Sequence, residues 1–270
     1  MRWINRRPGR ALALGLTAAP FVLAGVVYSS ASAARLAENE QDRILPAPST
    51  LVSTAWRLMT EPDRRSGEVL FWADTLSSLK LLGAGVALAA ALGLIFGMAI
   101  GMIPYVRSTL RSFVAVISMI PPLSVLPILF ITFGLGDSSK IALIVIGIGP
   151  FLIRDMAQRV IDLPREQFVK AQTLGATSAA IALRVVLPQV LPRLIGSVRL
   201  ALGPAWLFLI AAEAIASDEG LGYRIFLVRR FLAMDVILTY VAWITLLAFL
   251  VDYLLRLLSK YAFPWDGEAL

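Results

Sequence analysis

The chain of 270 residues contains no histidine and no cysteine. Without a thiol it can form neither a disulfide nor a thiolate nucleophile, and without an imidazole it lacks the commonest general base. The same two absences remove the usual ligands of zinc, haem iron and iron–sulfur clusters. We therefore predict no catalytic residues and no metal site, and we expect that the chain is not an enzyme.

A phosphate-binding loop is also missing. The loop G-x-x-x-x-G-K-[ST] needs a lysine directly after a glycine, and none of the four lysines (Lys80, Lys140, Lys170 and Lys260) follows one. We expect no cofactor in this chain. If ATP drives its function, a separate subunit must bind the nucleotide.

Charged residues are scarce, at 16% of the chain, whereas hydrophobic residues make up 58% and the mean hydropathy is +0.78. This composition is far too apolar for a soluble domain and predicts an all-α, polytopic membrane protein. A helix needs about 20 apolar residues to cross the hydrocarbon core. About six transmembrane helices are predicted, at residues 11–28, 76–103, 113–133, 141–160, 200–215 and 236–258.

Lysine and arginine residues near the ends of these helices predict the orientation in the membrane. Four basic groups fall on one face, which is therefore expected to be cytoplasmic together with both termini. The other face receives residues 32–75 and the connections that carry Lys140, Arg224, Arg229 and Arg230. The pI of 10.1 predicts attraction to anionic membrane lipids. Nucleic-acid binding is not indicated, because the sequence has no basic stripe with interleaved aromatic residues. The four groups are Arg2, Arg6, Arg7 and Arg10; Arg107 and Arg111; Arg154, Arg159, Arg165, Lys170, Arg184, Arg193 and Arg199; and Arg256 and Lys260.

Residues 1–31 are predicted to form a cytoplasmic segment and the first transmembrane helix. A cleaved secretory signal is the alternative, because Ala31-Ser-Ala33 resembles an A-x-A cleavage site. The apolar run at 11–28 exceeds the usual length of about 7 to 15 residues in a signal, which favours a retained helix. Residues 32–75 are then a periplasmic segment with an interfacial helix near 51–59, and residues 76–270 form the core domain.

Small and charged residues within the spans are first assigned to helix packing. Gly93, Gly97 and Gly101 recur at every fourth position, so that another helix can approach closely at a surface without Cβ atoms. Asp252 and Arg256 are four residues apart, which predicts an intrahelical ion pair.

Four residues are candidates for a translocation pathway. Pro121 and Pro122, with Pro127, remove hydrogen-bond donors within the third span and predict a kink or a break. Such a break can lie beside a transport cavity or can be a tolerated kink. Trp206 and Glu213 belong to the fifth span, and Glu213 has no basic residue within one helical turn, so that its carboxylate is expected to face the protein interior. The alternative places Glu213 at the outer headgroup level.

A polar segment at about residues 165–188 interrupts the apolar pattern. We predict two short helices joined at Gly175, forming a docking surface. The alternative is an amphipathic helix resting on lipid, which would not need a central glycine. Leu187-Pro188 is expected to end the second helix, because proline disfavours helical geometry at the preceding residue.

This segment resembles the cytoplasmic signature of permease subunits in ABC importers, E-A-A, three residues, G, nine residues, then I-x-L-P. Ala171, Gly175, Val185 and Leu187-Pro188 fall at the matching positions. Val169 and Lys170 replace the glutamate and the first alanine, and Glu166 lies one helical turn earlier. The flanking sequence is similar to the nitrate, sulfonate, taurine and bicarbonate branch at residues 44–56, 120–127, 133–140, 202–206, 212–213, 220–223 and, for taurine-type members, 264–268.

The resemblance implies a type I ABC importer permease fold in the bacterial cytoplasmic (inner) membrane. It implies two permease copies, forming a homodimer, two ATPase subunits that bind ATP and Mg, and a periplasmic or lipid-anchored substrate-binding protein that docks on the outer face near residues 217–230. The helix-turn-helix would insert into a groove of the ATPase and drive alternating access. The residues assigned to this coupling are Glu166, Lys170, Ala171, Gln172, Gly175, Ala176, Leu187 and Pro188.

Two other function classes remain open from the sequence. A membrane-embedded enzyme would need convergent acid, base or nucleophile groups, but the carboxylates are scattered. An ion-coupled transporter without an ATPase would be favoured by internal repeats, and we find none. The solute is expected to be a sulfonate such as taurine, nitrate or bicarbonate, or else a small cation such as guanidinium that Glu213 would suit.

Overall fold

The computed structural model describes residues 9–39, 42–63 and 66–265, and every regular element in these ranges is a helix. Arg2, Arg6 and Arg7 of the first basic group and residues 266–268 lie outside the described residues. The α-helices are α1 (Arg10–Glu38), α2 (Pro48–Thr60), α3 (Leu70–Met102), α4 (Pro104–Ile117), α5 (Pro122–Phe133), α6 (Asp137–Ile161), α7 (Arg165–Thr173), α8 (Ser178–Ile181), α9 (Leu187–Ile215), α10 (Leu221–Arg229) and α11 (Met234–Ala262), with a π-helical turn at Ala182–Val186 between α8 and α9.

Five helical segments are long and apolar enough to cross a membrane, and a bent pair makes a sixth. The five are α1, α3, α6, α11 and the run Ser178–Ile215 that contains α9. The prediction of an all-α fold with about six spans is therefore confirmed. The span predicted at 113–133 is the bent pair, in which α4 and α5 meet at 95°.

Proline chemistry explains the bend. Pro121 has an extended backbone conformation (φ −63°, ψ 117°) as the N-cap residue of α5, and Pro122 occupies the first turn. A proline disfavours helical geometry in the residue before it, so Pro122 excludes Pro121 from a continuous helix. Pro127 lies inside α5 without ending it. Of the two predicted outcomes, kink or break, the structure has the break.

The described residues form two compact units, one made of the chain up to Glu61 with Val228–Val241, the other of Pro62–Leu227 with the chain from Ala242. In the first unit α1 extends ten residues beyond the predicted end at Tyr28. The Tyr28 hydroxyl donates to the Pro46 carbonyl (2.7 Å), and the Thr54 hydroxyl of α2 donates to Asp235 (2.9 Å). A hydrogen bond from Arg35 holds the pKa of Asp42 below its usual value.

In the second unit, α3 and α6 meet along a stripe of small residues. A Cβ atom at Gly93 would lie 2.8 Å from Leu152 Cβ, and one at Gly85 would lie 2.9 Å from Ile144 Cβ. Gly97 and Gly101 contact Met156 and Val160 in the same way, so the predicted packing role of the glycines is confirmed. Both helices use every fourth residue, which lets their backbones approach closely.

A hydrogen bond and an ion pair join α9 to its neighbours. Asp155 of α6 accepts hydrogen bonds from Arg159 (2.8 Å) and from Ser197 of α9. Asp252 of α11 receives two bonds from Arg199 of α9, at 2.8 and 2.9 Å. The predicted intrahelical pair of Asp252 with Arg256 is therefore wrong, because both carboxylate oxygens are occupied by a bidentate guanidinium from another helix.

Candidate functional site

The segment of residues 165–188, the coupling segment, begins with helix α7. Pro164 precedes it in a non-helical conformation, and Arg165 begins the first turn. Glu166 in the first turn and Lys170 in the last place their charges favourably against the helix dipole. This arrangement accounts for a helix of only nine residues between two non-helical turns.

A Schellman motif ends α7 at Gly175. The Ala176 N–H donates to the Ala171 carbonyl at 3.0 Å, and the Gly175 N–H donates to the Gln172 carbonyl at 2.9 Å. Gly175 has φ +78°, a conformation that costs little only for glycine. Two of the residues that match the signature therefore form one turn: Ala171 provides a carbonyl acceptor, and Gly175 has the positive φ. The prediction of two helices joined at Gly175 is confirmed.

The second half of the segment continues directly into α9. Thr177 caps α8 by accepting a hydrogen bond from Ala180 N–H at 3.2 Å, and the π-turn of Ala182–Val186 follows. Pro188 then occupies the first turn of α9. The expectation that Leu187-Pro188 ends the helix is wrong. The wider π-turn offers the Leu187 N–H the carbonyl of Ala182 and leaves the proline at a position that needs no donor.

Two glutamines tie α7 to the start of α9. Gln189 Nε2 donates to Gln167 Oε1 at 2.9 Å and to the Val185 carbonyl at 2.7 Å. Ile181 and Val186 are buried and anchor the second half of the segment. The signature contains neither glutamine, and only the spacing of both residues from Gly175 could have suggested that they meet across the turn.

The surface of the coupling segment is polar apart from three exposed large apolar side chains, Val169, Leu174 and Leu183. Glu166, Lys170 and Gln172 are exposed, Ala171 and Ala176 are half-buried, and Leu187 and Pro188 are half-buried at the base. Leu174, next to Gly175, has 87% of its surface exposed. A knob of this kind presents a hydrophobic contact inside a charged rim and is held rigidly on the long helix α9.

A second cluster lies at the other end of α9, around Glu213, which is fully buried. Glu213 Oε1 accepts a hydrogen bond from the Ser78 hydroxyl of α3 at 2.7 Å, and Oε2 accepts one from Gly222 N–H at 2.8 Å. The turn of residues 217–222 thereby folds back onto the helix that precedes it. The expectation that Glu213 faces the protein interior is confirmed by its burial.

Asp74 of α3 completes this carboxylate network, the name used below for Asp74, Ser78, Glu213 and the turn 217–222. Asp74 accepts hydrogen bonds from Gly220 N–H (2.9 Å) and Arg224 (2.7 Å). A Cβ at Gly220 would lie 2.6 Å from Glu213, and one at Gly222 would lie 2.6 Å from the Ile210 carbonyl. Sequence reasoning missed Asp74, Ser78 and Arg224, although the pair Gly220 and Gly222 signalled a close backbone approach.

The other pathway candidates lie apart from these contacts. Trp206 is on α9 seven residues before Glu213 and therefore on the same helix face. Its indole is buried, and Nε1 has no hydrogen-bond partner among the described residues. Pro121 is exposed and Pro122 half-buried at the bend between α4 and α5. The structure places two of the four candidates on one helix and the other two at a bend.

Sequence comparison places this arrangement in a known context. Residues 89–263, which include Gly93, Gly97 and Gly101, the coupling segment, Glu213 and the turn 217–222, match the family of binding-protein-dependent transport system inner membrane components. The chain belongs to this family. It is a permease subunit of an ABC importer, and the resemblance noted in the sequence is confirmed.

Named relatives agree with this assignment. The permease is 35% identical to the taurine transport system permease protein of Escherichia coli (strain K12) over 201 residues, which cover 74% of this chain and 73% of the relative. It is 31% identical to the nitrate import permease protein of Synechococcus elongatus over 189 residues, covering 68% and 67%. Both relatives are transport proteins, which confirms the prediction that the chain is not an enzyme.

The fold of the permease has also been seen in a solved structure. A chain of the inward-facing MetNI methionine ABC transporter superposes with a TM-score of 0.58 at 19% identity, covering 69% of this chain and 95% of the other. At this identity the likeness concerns the fold alone, and it confirms the predicted type I importer permease architecture.

Proposed function

We propose that this permease moves a small oxyanion or sulfonate across the bacterial inner membrane by alternating access, driven by separate ATPase subunits that bind ATP and Mg. The observation that carries the proposal is the coupling segment, a rigid knob built on Gly175 and joined without interruption to a membrane-spanning helix. The taurine and nitrate functions of the relatives support the class of solute.

Helix α9 supplies the mechanical link in this proposal. It has 29 residues, which corresponds to a length of about 43 Å. The Gln167–Gln189 contact fixes α7 at one end, and the carboxylate network fixes the turn 217–222 at the other. A displacement of the coupling segment by a closing ATPase pair is therefore transmitted along one helix to the opposite face of the membrane.

The two ends of α9 also support the partners and the membrane orientation that we propose. The coupling segment faces the cytoplasm with both termini, where Arg165, Lys170 and Arg184 satisfy the positive-inside rule. The turn 217–222 and α10 face a periplasmic or lipid-anchored binding protein. A second permease copy completes the pathway, and two ATPases occupy the cytoplasmic side.

Glu166, Lys170, Gln172 and Leu174 form the proposed contact with the ATPase. The exposed carboxylate of Glu166 lies one helical turn before Lys170, so the charged positions differ from the family pattern while the glycine turn is retained. The apolar tip of Leu174 is the group that gains most from burial in a groove.

An anion is favoured over a cation as the solute. Glu213 was the feature that suited guanidinium, but both of its oxygens accept hydrogen bonds from Ser78 and Gly222. A cation would have to displace these donors, whereas the indole N–H of Trp206, on the same helix face, meets no acceptor in the described part of the chain. Trp206 and the bend at Pro121 and Pro122 remain our candidates for lining the pathway. We assign Glu213 a supporting role, in which it holds Ser78 and Gly222 in place.

Reconstitution tests the proposal. The permease, its ATPase and its binding protein are incorporated in or added to liposomes, and uptake of labelled taurine, nitrate and bicarbonate is measured with ATP or with a non-hydrolysable analogue. We expect uptake of at least one of these anions that requires ATP hydrolysis. Uptake that is driven by an ion gradient without ATP, or uptake of guanidinium alone, would contradict the proposal.

A further inference from the structure

A cavity of about 760 Å³ lies between the end of α3, helix α4 and the second half of α6. This volume is in the range of sites for small molecules, about 300–1,000 Å³. Its polar lining comprises Arg111, Ser118, Arg154, Asp155 and Gln158. None of these residues belongs to the coupling segment or to the carboxylate network.

Two guanidinium groups line this cavity without a carboxylate partner. Arg154 Nη1 donates to the Ser118 hydroxyl at 2.9 Å, which is an uncharged acceptor. Arg111 makes no hydrogen bond or ion pair in the part of the chain that the structure describes. The carboxylate in the lining, Asp155, is already occupied by Arg159 and Ser197. The cavity therefore carries uncompensated positive charge.

The neighbouring arginine shows how a cation on α4 is otherwise satisfied. Arg107 lies one helical turn before Arg111, and it donates to the carbonyls of Ile100 and Gly101 at the end of α3. Arg107 thus caps a helix C-terminus, where a cation is favourable. Arg111 caps no described helix, and the positive-inside rule accounts for its side of the membrane but not for its place in the cavity lining.

Arg154 lies within the spanning helix α6, and its side chain is exposed where it lines the cavity. It precedes the end of α6 at Ile161 by seven residues, which is about 10 Å along the helix axis. Ionisable groups within a spanning helix are costly and line substrate or ion pathways in many transporters. Guanidinium groups pair with planar and tetrahedral oxyanions through two parallel hydrogen bonds.

We propose that Arg111 and Arg154 form an anion-binding station in this cavity, which receives the transported sulfonate, nitrate or bicarbonate on the coupling side of the pathway. The Ser118 hydroxyl, at the end of α4, donates to the Ala115 carbonyl (2.7 Å) and accepts from Arg154, and so holds that guanidinium at the cavity wall. This inference rests on the proposed function and adds the residues that recognise the solute's negative charge within the permease.

Direct binding tests the station. The detergent-purified complex of permease and ATPase is titrated with labelled taurine and nitrate, without the binding protein. Arg111→Gln and Arg154→Gln are each expected to weaken anion binding about tenfold or more, since each removes a charge-assisted hydrogen bond. Arg154→Lys should give an intermediate loss. Lys260→Gln, which removes one positive charge at an exposed site outside the cavity, should leave binding unchanged.

The outcomes separate this inference from the proposed function. Arg111→Gln breaks no hydrogen bond of the described residues, so it decides the matter even where Arg154→Gln fails to assemble. Unchanged anion binding in Arg111→Gln, or no binding of either probe to the unmodified complex, would overturn the station. If the unmodified complex still imports taurine, nitrate or bicarbonate in liposomes, only the station has failed; if it imports none of these anions, the proposed function has failed.

A lipid phosphate is the competing source of negative charge. Phospholipids that co-purify with each variant are therefore quantified by mass spectrometry. Loss of an anionic phospholipid from Arg111→Gln and Arg154→Gln, with unchanged anion uptake, would assign the cavity to a lipid headgroup and overturn the proposal. Equal lipid content with reduced anion binding would support it.

Discussion

Glu213 holds two segments of the chain together through its two carboxylate oxygens. One oxygen receives a hydroxyl from α3 and the other a backbone N–H from the following turn. Neither donor has access to water, because Ser78 and Gly222 are both buried. Removing a buried acceptor leaves its donors unsatisfied, which costs more than the net value of the bonds.

Glu213→Gln should therefore destabilise the permease by about 1–3 kcal/mol, since the amide NH₂ group turns one acceptor into a donor. We expect a lower apparent melting temperature in detergent, measured by thermal aggregation. Glu219→Gln is the matched control, because the Glu219 carboxylate accepts a single hydrogen bond among the described residues, an exposed one from Ser77. Equal stability of the two variants would mean that the carboxylate network does not hold the turn.

Transport by the same variant addresses the pathway role of Glu213. If Glu213 contacts solute, Glu213→Gln lowers uptake at limiting solute more than its loss of stability explains. Uptake that falls only in proportion to the amount of folded permease would leave Glu213 as a structural group.

At the scale of elements, the turn at Gly175 converts α7 and α8 into one knob. The Schellman motif needs φ near +78° at this position, and a β-branched side chain pays roughly 1–2 kcal/mol there. The knob is small, so a distorted turn changes the position of Leu174 and Glu166 together.

Gly175→Val should reduce solute-stimulated ATPase activity severalfold while the permease still inserts into the membrane. Gly175→Asn, which tolerates positive φ, should keep most of the activity. Stimulation is measured in liposomes with the ATPase and the binding protein, and insertion by the amount of permease in the membrane fraction. Full stimulation in Gly175→Val would remove the docking role from this turn.

The α3–α6 contact offers a second test at this scale. Gly93→Ala should destabilise the permease by about 1–3 kcal/mol, because the new Cβ would lie 2.8 Å from Leu152 Cβ. Gly83→Ala on the same helix meets no atom within 4 Å and should be neutral or stabilising. Thermal unfolding in detergent distinguishes them, and equal melting temperatures would contradict a tight contact.

The features that the sequence revealed depend on local rules. Gly175 and the glycines at every fourth position are readable because only glycine permits a positive φ or a backbone contact. The features that sequence reasoning missed depend on distant partners. Arg199 donates hydrogen bonds to Asp252, which is 53 residues away in the sequence, and Ser78 donates one to Glu213, which is 135 residues away. The prediction that Leu187-Pro188 ends the second helix is wrong, because a π-turn, stabilised by the burial of Ile181 and Val186, accommodates the proline.

For the whole molecule, the absence of cysteine makes orientation directly measurable. Thr177→Cys is expected to remain unlabelled when intact cells are treated with a membrane-impermeant maleimide, and to react after the membrane is permeabilised. Asp218→Cys, in the turn at the other end of α9, should react from outside. Labelling of Thr177→Cys in intact cells would invert the orientation and with it the proposed side of the ATPase.

The π-turn of Ala182–Val186 gives the coupling segment its rotational setting. A π-turn holds one more residue than an α-turn, and one residue corresponds to about 100° of rotation around a helix axis. Deleting a single residue there would restore regular winding and rotate the coupling segment by about 100° around the axis of α9, away from the ATPase groove that we propose it enters, although every side chain of the proposed contact would still be present. The rotation of the coupling segment around the axis of α9, set by a single extra residue, therefore decides whether the permease can dock on the proposed ATPase.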